Sequence, residues 1–150
     1  MTKVKAKIGQ GDWVVVCDGT RALLLQNVGD EKFLNLKTQE VYEQEDPRTS
    51  AQGTDAPGRE FASVGGMRSS VEQTDWHRQA EEVFLQKLAS RLDHAVRDGK
   101  VRNLIVIAPP RALGVLRQSY SHELRGVLRA ELDKDLVKLP VHEIEKHLAA

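Results

Sequence analysis

Apolar positions in the first third of the chain come in short continuous blocks. Trp13-Val14-Val15-Val16-Cys17 is one block, and Arg21–Val28 carries a second. Runs of this length and β-branched content predict strands. Asp18-Gly19-Thr20 between them reads as a turn, in which Asp18 can bond the backbone ahead and Gly19 accepts positive φ. Gly29-Asp30 is a second turn, and Phe33, Leu36, Val41 and Tyr42 mark a third extended segment. Three successive strands with tight turns predict an antiparallel meander.

Further on, the period changes. Trp76, Ala80, Val83, Phe84, Lys87, Leu88, Arg91, Leu92 and Ala95 trace a helical stripe to about Arg97. Thr74 or Asp75 can cap it, Glu81 and Glu82 favour its amino half, and Gly99 stands at the stop. Leu104–Ala108 is an unbroken apolar run, the pattern of a central strand covered on both faces. Pro109 cannot donate to a ladder, and Pro110 suits the first turn of a helix. Leu113, Leu116 and Tyr120 then follow at helical spacing. Leu128, Ala130 and Leu132 alternate with charged residues and favour a last strand, although Leu124, Val127, Leu128 and Leu132 also fit a helix. Pro140 opens a short terminal helix with Ile144 and Leu148 on its inner face. The expectation is one α/β domain over residues 1–150, a mixed sheet with an N-terminal antiparallel meander and helices packed on it. A chain of 150 residues is long enough to bury its own core.

Residues 44–75 break the pattern with Pro, Gly, Ser, Thr and Asp, and read as a long loop. Such loops are functional or disordered. Within it Arg59 and Arg68 bracket Gly65-Gly66-Met67, which makes these five binding candidates. Arg111 and Arg117 flank the helix after the Pro-Pro turn and are the other two. Arg111 falls in the first turn, where a cation opposes the helix dipole and suits an anionic ligand or an ion pair. The carboxyl ends of strands are where open α/β sheets bind ligands.

Lys plus Arg and Asp plus Glu both number 22, so the formal net charge is zero. That removes the simplest argument for nucleic-acid binding, and no DNA partner is expected. Cys17 is the only cysteine, which excludes an internal disulfide and a cysteine zinc cluster; it reads as a small buried hydrophobe. His77, His94, His122, His142 and His147 lack metal-motif spacing, so no metal or cofactor is expected. Ser119, Ser121, His122 and Glu123 lie close in sequence but without a nucleophile elbow, which leaves an esterase or phosphatase the weakest reading. Gly9-Gln10-Gly11 precedes a strand and is no dinucleotide fingerprint. Met1–Lys7 carries charge without a following apolar run, and no window approaches the roughly 20 apolar residues of a membrane span. A non-enzymatic, cytoplasmic protein is expected.

Several segments together carry a resemblance. They are Trp13–Ala22, Gly58-Arg59-Glu60-Phe61, the helix ending in Leu92-Asp93, Leu104–Arg117 and Asp135-Leu136. The most specific is Ala108-Pro109-Pro110-Arg111-x-Leu113-Gly114-x-Leu116-Arg117. Together they resemble the bacterial host-attachment protein family, although Cys17 and Gly19 stand where that family more often has small or apolar residues. The family is itself similar to the middle domain of archaeal and eukaryotic peptide release factors. There a Gly-Gly-Gln loop acts in peptide release, and the corresponding place is Gly65-Gly66-Met67. Methionine has no amide to donate or position water, so peptide release is not carried over. The resemblance implies a non-catalytic binding protein that contributes indirectly to attachment to host cells. Its unknown partner, protein or ribosome, would meet the 44–75 loop and the surface near Arg111. The alternative is a ribosome- or RNA-associated module without the catalytic glutamine. A basic patch would favour RNA, and a mixed or apolar one a protein.

Overall fold

Side chains on a strand alternate between its two faces, so a continuous apolar run has to be covered on both. The structure, a computed structural model, describes residues 7–44 and 70–149. It supplies that cover with one sheet drawn from both halves of the chain. Strands β1 (Trp13–Cys17), β2 (Arg21–Asn27) and β3 (Leu36–Glu43) form the antiparallel meander. Helix α1 (Ser70–Arg97) leads to β4 (Leu104–Ala108), followed by α2 (Pro110–Ser119), α3 (His122–Val127), β5 (Leu128–Asp133) and α4 (Val141–Ala149). The five strands lie in the order β3-β2-β1-β4-β5, with β4 parallel to β1 and β5 parallel to β4. The architecture is α/β with a mixed sheet. The middle strand is β1 rather than β4, which lies beside it between β1 and β5.

Trp13, Val15 and Cys17 of β1 share a face with Leu104, Val106 and Ala108 of β4, under α1, α2 and α3. Val14 and Val16 share the opposite face with Ile105 and Ile107, against Ile144 of α4 and against Leu136 and Val137 of the segment before it. One buried polar side chain ties the meander together. The Asn27 amide donates to the carbonyls of Ile8 and Gly9, both at 3.0 Å, and its oxygen accepts from Gly29 and Asn35 backbone N–H groups. A buried amide with those partners meets its hydrogen-bonding needs.

Four sequence expectations change. Helix α1 begins at Ser70, not at Thr74 or Asp75, so residues 70–75 of the expected 44–75 loop are helical. Val71-Glu72-Gln73 contains no breaker to stop the helix reaching back. The middle of that loop lies outside the described residues. The buried side of α1 is Phe84, Leu85, Leu88, Ala89 and Leu92, whereas Trp76 and Val83 are 46% and 47% exposed. At 28 residues α1 is about 42 Å long. Strand β3, with eight residues, spans only about 26 Å. The helix is longer than the strand it flanks, and Trp76 and Val83 border an open groove beside β3 instead of packing into the core. Phe33 precedes β3 and is 75% exposed, because the Asp30 carboxylate accepts from the Lys32 and Phe33 N–H groups and turns the chain outward. Finally, residues 122–133 use both of their periods. Leu124 is buried on α3, capped by Ser121, and the alternating residues follow as β5.

Candidate binding cleft at the strand ends

Because β1 and β4 are parallel neighbours, Cys17 and Ala108 end side by side. From there β1 turns back into β2 and β4 rises into α2, leaving a crevice at the carboxyl edge of the sheet. Helix α1 walls its third side. The cleft has a volume of about 220 Å³ and is lined by the Asp18-Gly19-Thr20 turn, by Arg78, Glu81 and Glu82 of α1, and by Pro109 and Arg111.

The turn is rigid. One Asp18 carboxylate oxygen accepts from the backbone N–H of Thr20 at 2.8 Å and of Arg21 at 2.9 Å, and from the Thr20 hydroxyl at 3.0 Å. Gly19 serves a different purpose from the expected one. The positive-φ glycines among the described residues are Gly11 and Gly99. A Cβ at Gly19 would lie 2.7 Å from Glu81 Cγ and 2.8 Å from its Cβ, so glycine lets α1 approach the turn. Opposite, α2 starts without a side-chain cap on Pro109 and without an acidic residue in its first turn. Arg111 stands there instead. Among the described residues neither Arg78 nor Arg111 has an ion-pair partner.

The thiol and the two serine hydroxyls weighed in the sequence are taken up by the fold. Burial, with the Asp18 charge adding to it, pushes the Cys17 thiol up to about 12, so it stays protonated and poorly nucleophilic. The Ser119 hydroxyl donates to the Val115 carbonyl. Ser121 donates to the Asp93 carboxylate and accepts from the Leu124 N–H. Among the described residues no group of three His, Cys, Asp or Glu side chains could hold a metal ion. Nor is any helix there long and apolar enough to cross a membrane.

The structure separates the two arginines predicted on α2. Arg111 lines the cleft, whereas Arg117 binds Glu131 of β5 through Nε and Nη2, both at 2.8 Å. The Tyr120 hydroxyl donates to the other Glu131 oxygen at 3.0 Å, and burial followed by the Glu131 charge raises its pKa. Arg59, Gly65, Gly66, Met67 and Arg68 lie outside the described residues. Sequence reasoning missed Arg78, which sits in an ordinary stretch of helix and gains its place only from where α1 crosses the strand ends. It also missed a groove of about 600 Å³ between β3 and α1, with Trp76, Val83, Lys87 and Arg91 along it. Trp76 and Val83 belong to the apolar stripe and read as core.

No curated protein matches the chain. Among solved structures it is similar to an archaeal translation termination factor, at 12% identity and a TM-score of 0.46. The match covers 91% of this chain and 40% of that one, so this chain spans less than half of that protein's length. The family described as "Protein required for attachment to host cells" matches residues 13–148, from the first residue of β1 into α4, and the chain belongs to that family.

Proposed function

We propose that this chain is a non-catalytic binding protein that contributes indirectly to attachment to host cells, with the cleft around Arg111 as its contact face. The observation that supports this best is the pair Arg78 and Arg111, two guanidinium groups in one cleft without an ion-pair partner among the described residues. Such groups are strong, directional donors and recur at the energetic centres of protein interfaces. Asp18, Glu81 and Glu82 beside them make the face mixed in sign. A mixed face complements a protein surface better than a phosphate backbone, and the net charge of zero points the same way.

Adhesion of a strain lacking this chain, complemented with the wild type or with an Arg78→Glu/Arg111→Glu double variant, tests the reading. The wild type is expected to restore adhesion. The double variant, with an unchanged thermal midpoint, is expected to restore little of it. Full restoration by the double variant would remove the cleft from the function. Co-sedimentation with ribosomes that weakens as salt rises would favour the RNA-associated reading instead.

A further inference from the structure

Strand β3 closes one edge of the sheet, and its outward backbone groups have no ladder partner among the described residues, although the Leu36 N–H donates to the Glu145 carboxylate of α4 at 2.7 Å. It is eight residues long and contains no proline, and its ladder with β2 is broken by a bulge at Gln39. Edges of this kind are templates for another strand unless they are blocked. Both sides of this edge are hollow. On the α1 side lies the groove of about 600 Å³, floored by Phe84 and Leu88 and lipped by the exposed Trp76 and Val83. On the α4 side lies a second groove of about 380 Å³, between Val41 of β3 and the segment Val137–Val141. The side chains of an added strand would alternate between these two grooves, at about 6.6 Å per pair of residues.

The charges have one prevailing sign. Lys87 and Arg91 line the first groove and Arg21 and Lys138 the second; the carboxylate among these lining residues is Glu43, while the neighbouring Glu40 of β3 accepts from the Tyr42 hydroxyl. Glu43 is itself paired with Arg21 at 3.9 Å. Arg91 lies 4.4 Å over the Tyr42 ring, and neither it nor Lys87 has an ion-pair partner among the described residues.

We propose that β3 docks an extended, acidic segment of a partner protein as a further strand of the sheet. The free edge supplies main-chain hydrogen bonds, the two grooves take alternate apolar side chains, and the four cations select Asp or Glu between them. The surface shares no lining residue with the cleft at Arg111, so the two proposals stand or fall separately.

The test is to pan a display library of random short peptides against the full chain. Selected peptides are expected to alternate apolar residues with Asp or Glu and to protect the outward β3 amides from hydrogen exchange. Their affinity is expected to fall about tenfold or more against Val83→Asp or Lys87→Glu/Arg91→Glu, and on N-methylation of alternate peptide amides. These protein positions are exposed, so folding should survive, and the Arg78→Glu/Arg111→Glu variant should bind the peptides unchanged. No enrichment, enrichment of basic sequences, or binding indifferent to those changes would overturn the proposal. So would outward β3 amides other than that of Leu36 already protected in the peptide-free monomer, or a dimer that protects them, since the chain itself or a second copy would then hold the edge.

Discussion

Cys17 ends β1 with its side chain fully buried, and the pKa that burial gives it has a thermodynamic consequence. An unburied thiol ionises near 9.0, whereas this one is pushed up to about 12. Between those values the unfolded chain has lost a proton that the native chain keeps. The stability from this group is therefore whole below pH 9 and falls above it, by about 1.4 kcal/mol per pH unit until the native thiol also ionises. Urea denaturation from about pH 8 to about pH 11 should show a steeper loss in the wild type than in Cys17→Ala, whose lost packing is independent of pH. Tyr120 works in the same direction in both proteins, and because the Cys17 charge is one of the causes of its shift, the comparison reads the thiol together with that coupling. Equal slopes would remove Cys17 as the source. The burial of Cys17 was legible in the sequence because it closes an apolar run. The role of Gly19 was not, since the reason for glycine there is a side chain on α1, and no local pattern reports a contact so distant in sequence.

At the scale of the element, β5 is the least self-evident strand and the one most dependent on side-chain ties. It is the other edge of the sheet, its residues are only partly buried, and Glu131 fastens it to α2 through Arg117 and Tyr120. The two ties are unequal. The Arg117 side chain is 55% exposed, so its ion pair is screened and worth about 0–1 kcal/mol. Tyr120 is 7% exposed, and removing its acceptor leaves a donor in a poorly hydrated place. Glu131→Ala is expected to cost about 1–3 kcal/mol and Arg117→Ala distinctly less, with β5 amides exchanging faster in the first variant. Equal costs would mean that the guanidinium carries the tie. The same partial burial explains why residues 122–133 read ambiguously. A half-exposed strand keeps only a weak alternation, and the helix in front of it adds apolar residues at its own spacing. By contrast β1 and β4, covered on both faces, were legible in full, as was the Gly99 stop of α1.

Among the described residues the molecule is one sheet between two unequal covers. Helices α1, α2 and α3 shield the face that holds Trp13, whereas α4 and the short segment before it shield the other, centred on Ile144. The covered strands were readable from sequence. Their order was not, because pairing β1 with β4 joins segments far apart along the chain, and apolar runs do not name their neighbours. The cleft depends on that pairing, which is why Arg111 could be singled out but its companion Arg78 could not. Sharing one sheet also makes the two covers thermodynamically inseparable. Ile144 is fully buried, so Ile144→Ala should cost about 2–5 kcal/mol through lost burial and the cavity left behind. Trp13 lies on the opposite face and reports unfolding there, with the exposed Trp76 as a nearly constant background. In the variant, the fluorescence transition and the helical circular dichroism transition are expected to move down together and stay coincident. An early loss of helix signal with the fluorescence midpoint unmoved would show instead that the α4 layer detaches on its own, and that the sheet needs only the α1 side to persist.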